Sequence, residues 1–135
     1  MSASGYSTKP LYQKIGVKEE HRVVLIDAPY SFMEWLDVPF SLQMISAEEK
    51  ADYCHIFVKE KELLRSYLPE VKQMIHQHGM IWVSWPKKAA KVVSDVTEGT
   101  IRELALPMDL VDVKVCSVSD IWSGLKLMIR KEKRV

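Results

Sequence analysis

The chain has 135 residues, 47% of them hydrophobic and 27% charged, with 19 basic against 18 acidic side chains and a net charge of +1. That length is one domain, and that composition excludes the disordered and fibrous classes. The near-neutral balance lacks the basic excess of a chain that coats nucleic acid, and no apolar run approaches the roughly 20 residues that cross a bilayer.

Residues 1–10 are polar, without the apolar core of a secretory signal, which predicts a cytoplasmic protein. Residues 1–20 read as a flexible arm, with Pro10-Leu11-Tyr12 and Ile15-Gly16-Val17 able to pin part of it to the body. Residues 21–130 read as a single domain and residues 131–135 as a solvated, charged tail. Cys54 and Cys116 each lie inside an apolar run, as buried, reduced thiols of a reducing compartment do.

The run from Arg22 to Pro29 is short, β-branched and ended by proline, which predicts a buried strand. A short helix should follow, with Ser31 as its N-cap and Phe32, Trp35 and Leu36 on one face. Residues 41–45 form a candidate second strand. Only seven residues separate it from the better strand at 53–58, too few for an ordinary parallel crossover, so it belongs at a sheet edge or is not a parallel strand.

Leu64, Leu68, Val71 and Ile75 recur at helical spacing, predicting a helix over 60–77 with a kink or restart at Pro69 and a stop at Gly79. Residues 80–85 are apolar nearly throughout, as suits a strand covered on both faces. A loop with Lys87, Lys88 and Lys91 leads to a helix capped by Asp95 or Thr97, with Ile101, Leu104, Ala105 and Met108 on its buried stripe. Finally, Val111, Val113 and Val115 alternate with Asp112 and Lys114. Leu125, Leu127 and Ile129 then alternate with Lys126 and Arg130, which predicts a hairpin.

This order predicts an α/β fold: a Rossmann-like three-layer sandwich, mostly parallel, with a C-terminal antiparallel hairpin. Residues 53–130, with His78-Gly79-Met80-Ile81-Trp82-Val83-Ser84 at their centre, resemble the second half of a class I methyltransferase. That resemblance implies strand 80–85 between strands 53–58 and 124–130, with 124–130 antiparallel to it and separating it from 111–117. Those enzymes carry a glycine-rich cofactor loop after the first strand; here the strand runs into Asp27-Ala28-Pro29-Tyr30.

A second resemblance rests on Gly5-Tyr6-Ser7, Pro10-Leu11, Trp85-Pro86-Lys87-Lys88-Ala89, Thr97-Glu98 and Arg102-Glu103. It continues through Ala105-Leu106-Pro107, Leu110-Val111-Asp112, Lys114-Val115-Cys116 and Trp122-Ser123-Gly124-Leu125. By these residues the chain is similar to the bacterial family called domain of unknown function 3052, which implies a fold and no particular activity.

Catalytic signatures are missing. There is no Gly-x-Ser-x-Gly elbow, no Walker-type glycine loop, and no zinc-type spacing among His21, His55, His76, His78 and the two cysteines. Ser84 and Trp35, Trp82, Trp85 and Trp122 read as packing residues. In open α/β sheets ligands bind beyond the carboxyl ends of the strands. That rule singles out Asp27, Trp85, Lys87, Lys88 and Thr97 as a ligand-binding rim, without catalytic residues, metal or cofactor. The leading expectation is a non-catalytic domain binding a small anionic ligand or a protein partner there. The alternative is a methyltransferase-like transferase with an atypical cofactor loop.

Overall fold

The computed structural model describes residues 9–45 and 48–134. Its main elements are α1 (Leu11–Ile15), β1 (Arg22–Ile26), α2 (Phe32–Leu36), β2 (Gln43–Met44) and β3 (Ala51–Phe57). They continue with α3 (Lys61–Met74), β4 (Ile75–Pro86), α4 (Glu98–Ala105), β5 (Leu110–Ser117) and β6 (Trp122–Ile129). The strands form one sheet in the order β2-β1-β3-β4-β6-β5. Strands β2, β1, β3 and β4 are parallel, and β6 runs antiparallel to both β4 and β5. Strand β4 therefore lies between β3 and β6, as the sequence predicts, in a Rossmann-like α/β sandwich.

Each face of the sheet has its own core. Helices α3 and α4 bring Leu64, Leu68, Val71, Ile101 and Ala105 against Cys54, Ile56, Ile81 and Val83. Helices α1 and α2 bring Ile15, Phe32 and Leu36 against Tyr53, Phe57, Trp82 and Trp122 on the other side. Burial on both faces is why β3 and β4 read as continuous apolar runs rather than alternating ones.

Several local expectations change. Helix α3 passes through Pro69 and ends at Met74, and β4 begins at Ile75. Gly79 is thus no helix stop: it sits in β4 where the register against β3 slips, Ala51 facing Ile75 and Tyr53 facing Met80. A Cβ there would lie 3.0 Å from the carbonyl oxygens of Ala51 and His76, a tight approach of backbone that favours glycine. Ser31 makes no side-chain cap to α2. The 41–45 segment shortens to a two-residue parallel edge strand.

In β5, a bulge between Asp112 and Lys114 breaks the expected alternation and leaves both Val113 and Val115 exposed. Cys54 is buried and Cys116 only half-buried, both as free thiols. The arm residues up to Thr8, including the Gly5-Tyr6-Ser7 motif, lie outside the described residues. From Leu11 the chain is helical, with Ile15 and Val17 buried in the core.

Gly124 offers a packing test. A Cβ on it would lie 2.9 Å from Val118 Cγ2 and 3.1 Å from the Trp82 ring. Gly124→Ala should therefore lower stability by about 1–3 kcal/mol in a urea unfolding curve, the usual cost of overpacking.

Candidate functional site at the carboxyl ends of the parallel strands

Strand β1 ends at Ile26, and Asp27 then turns the chain with φ 57°, in the left-handed region that favours glycine. The Asp27 carboxylate accepts a hydrogen bond of 2.6 Å from the Tyr67 hydroxyl on α3. That bond holds the phenol in its neutral form and raises the Tyr67 pKa. The next residues are Ala28, Pro29, which has no N–H to offer, and Tyr30, which is 97% exposed.

Strand β3 leads through Val58 into Lys59, Glu60 and the first turn of α3. The loop after β4 folds back onto this point. Ser94 Oγ and the Asp95 N–H both donate to the Lys59 carbonyl, and Asp95 Oδ1 accepts from the Lys61 N–H at 2.7 Å. Asp95 therefore satisfies a free donor at the start of α3, a helix with no side-chain cap of its own. An open groove results, lined by Lys59, Glu60, Glu62, Leu63, Val93 and Asp95 among others. Its lining sets three carboxylates against one ammonium, so the local field disfavours an anion.

The residues singled out from the sequence do not converge. Trp85 is 8% exposed and packs in the α3/α4 core beside Val96. The Lys87 ammonium donates to Ser117 Oγ at 2.7 Å and its N–H to the Ile121 carbonyl, which ties it to the β5–β6 hairpin. Lys88 is exposed at the start of a short 3₁₀ turn. Thr97 does cap α4: its Oγ1 accepts from the Thr100 N–H, and the Thr100 hydroxyl accepts from the Thr97 N–H. Thr97→Ala should cost about 1 kcal/mol, read by thermal or urea unfolding, because this reciprocal box is lost. Asp27, Lys87 and Thr97 each meet a different side chain, Tyr67, Ser117 and Thr100, so no two of the five meet each other, and nothing in the sequence points to Tyr67 as the partner of Asp27.

A second polar constellation lies beneath the rim. The His55 ring accepts or donates through Nδ1 to the Tyr53 hydroxyl at 2.6 Å, and through Nε2 to Ser84 Oγ at 2.7 Å. All three side chains are fully buried, and the imidazole stacks on Phe57 with centroids 4.4 Å apart. Burial pushes the His55 pKa down to about 3 and the Tyr53 pKa well above its ordinary value. The pairing of His55 with Ser84 resembles half of a hydrolase relay, but Tyr53 stands where that relay has a carboxylate, and all three side chains are buried. Ser84 packs, as its sequence setting suggests, and its hydroxyl is satisfied as well.

Among the described residues, no cluster of three or more His, Cys, Asp or Glu side chains is placed to hold a metal, and no helix is long and apolar enough to cross a membrane.

No protein-family model and no curated protein matches the chain, so the likeness to domain of unknown function 3052 gains no support. Solved structures do match. A S-adenosylmethionine-dependent methyltransferase from Clostridium acetobutylicum aligns with a TM-score of 0.58 at 6% identity, over 87% of this chain and 87% of its own. A SAM-dependent methyltransferase from Aquifex aeolicus gives 0.56 at 13% identity, over 87% and 86%. Ribosomal protein L11 methylase from Lactobacillus delbrueckii gives 0.56 at 11%, over 89% and 75%. At such identities the likeness concerns the fold. A mostly parallel six-stranded sheet closed by an antiparallel hairpin and covered by helices on both faces is the class I methyltransferase fold, and this chain has it.

Proposed function

We propose that this methyltransferase-like domain binds a partner at its carboxyl-end rim and does not use S-adenosylmethionine. The turn after β1 carries the reading. A glycine-rich loop serves that cofactor because bare backbone and free N–H groups let it come close. Here the left-handed position is filled by Asp27, whose carboxylate is engaged by Tyr67, and Pro29 removes a donor. The residues present do not fit the cofactor.

Of the two ligand classes expected from the sequence, the acidic groove favours a protein partner over a small anion. Tyr30 and Val93, 97% and 93% exposed on loops of the same rim, supply the large apolar side chains such contacts use. The fold likeness by itself favours the other reading, a transferase with an atypical cofactor loop. Native mass spectrometry of freshly purified protein separates them. The expected spectrum is free of any adenosyl compound; a co-purified adenosyl cofactor would put the transferase reading first.

A further inference from the structure

Away from the rim, three lysines gather on one side of the β5–β6 hairpin. Lys114 and Lys126 face each other directly in the antiparallel ladder, and Lys126 faces Trp82 of β4 on its other side. The end of α1 lies over this row. Trp82 Nε1 donates to the Ile15 carbonyl at 3.0 Å, and Lys114 Nζ donates to the Lys14 carbonyl at 2.7 Å. The Lys14 backbone is thereby brought beside the pair, and the charges of Lys14 and Lys114 both act on the Cys116 thiol, two residues further along β5.

Like charges placed directly opposite each other destabilise a sheet, and a half-buried ammonium without a counter-charge adds to that cost. None of the ion pairs found among the described residues involves these three lysines. The nearest carboxylate along β5, Asp112, is held by Arg102 at 2.9 Å. Burial and the charge of Lys114 together lower the Lys126 pKa, as expected for a cation with no anion at hand.

We propose that Lys14, Lys114 and Lys126 form a binding site for a phosphate monoester, whose dianion supplies the counter-charge the fold leaves out. Each ammonium has three donors, and Lys114 has spent one on the Lys14 carbonyl. A compact cluster suits a doubly charged terminal phosphate. A phosphodiester backbone, with one charge per unit, calls for a row of cations instead.

The test follows the thermal midpoint of the full chain in glycerol phosphate, with chloride replacing it at matched ionic strength. Wild type should rise saturably, by about 4 °C at a tenfold excess over the dissociation constant. Dimethyl phosphate, a diester monoanion, should give no such rise. Lys126→Met should be at least as stable as wild type without phosphate, because repulsion and desolvation are both relieved, and should not respond to it. Lys114→Gln should likewise lose the response, whereas a Lys87→Ala, Lys88→Ala double variant should keep it. No rise beyond the chloride control overturns the proposal. So does an equal rise in Lys126→Met, or a diester as effective as the monoester. None of these three results bears on the rim.

Discussion

Replacing His55 with alanine is expected to destabilise the protein by about 3–5 kcal/mol, through the cavity left and two buried hydroxyls deprived of their partner. The ring lies fully buried between Tyr53 and Ser84, stacked on Phe57 and edge-on to Phe32. Its environment holds it neutral, with a pKa pushed down to about 3 by desolvation. The unfolded chain gains a proton at this residue as pH falls through about 6.5, while the folded chain refuses it until about pH 3. Stability from this group is therefore complete above about pH 6.5 and declines between there and about pH 3, by up to about 1.4 kcal/mol per pH unit. Urea unfolding at neutral pH and at two acidic points within that window checks the slope. His55→Gln, which can still bond both hydroxyls, should fold at neutral pH and show a flatter dependence; an equal slope in both proteins would mean other groups govern acid sensitivity.

Trp82→Ala should also cost about 3–5 kcal/mol, the usual range for removing a buried tryptophan. Trp82 is fully buried at the middle of the central strand, and its indole N–H is the donor that the Ile15 carbonyl accepts. The substitution thus acts at two places. The core beneath α1 and α2 empties, and the end of α1 loses its tie to the sheet. Hydrogen exchange should report the second effect, with protection in residues 11–17 falling more than in α3. Trp82→Phe fills most of the space but lacks the donor, so it should restore much of the stability and little of the protection.

Both predictions concern features that pattern reading reaches only halfway. The continuous apolar run through Ile81, Trp82 and Val83 marks a strand covered on both faces, and the stripe from Leu64 to Val71 marks the helix on one of them. Local chemistry extends to the Thr97 cap, which acts within its own first turn. Side chains that meet across the fold leave no local trace. His55 meets Ser84 from the neighbouring strand, Asp27 meets Tyr67 from a helix on the sheet's face, and Asp95 serves the first turn of a helix far upstream. Each pair joins residues that are ordinary in their own segments. For the same reason Lys87 looks free in the sequence, while in the fold it is bound to Ser117. Gly79 misleads in another way: a glycine after a periodic stretch suits a helix stop and a strand irregularity equally well, and only the pairing with Ala51 and Tyr53 decides it.

The turn after β1 is legible at both levels. Its lack of glycine is visible in the residues, and the structure adds a left-handed aspartate locked to Tyr67. A methyltransferase fold whose cofactor turn is closed in this way should not take up S-adenosylmethionine, and calorimetric titration of that cofactor into the purified protein measures it. No saturable heat is expected into the millimolar range. Saturable binding with a micromolar dissociation constant, about 8 kcal/mol of affinity, would contradict the closed turn and return the protein to the transferases.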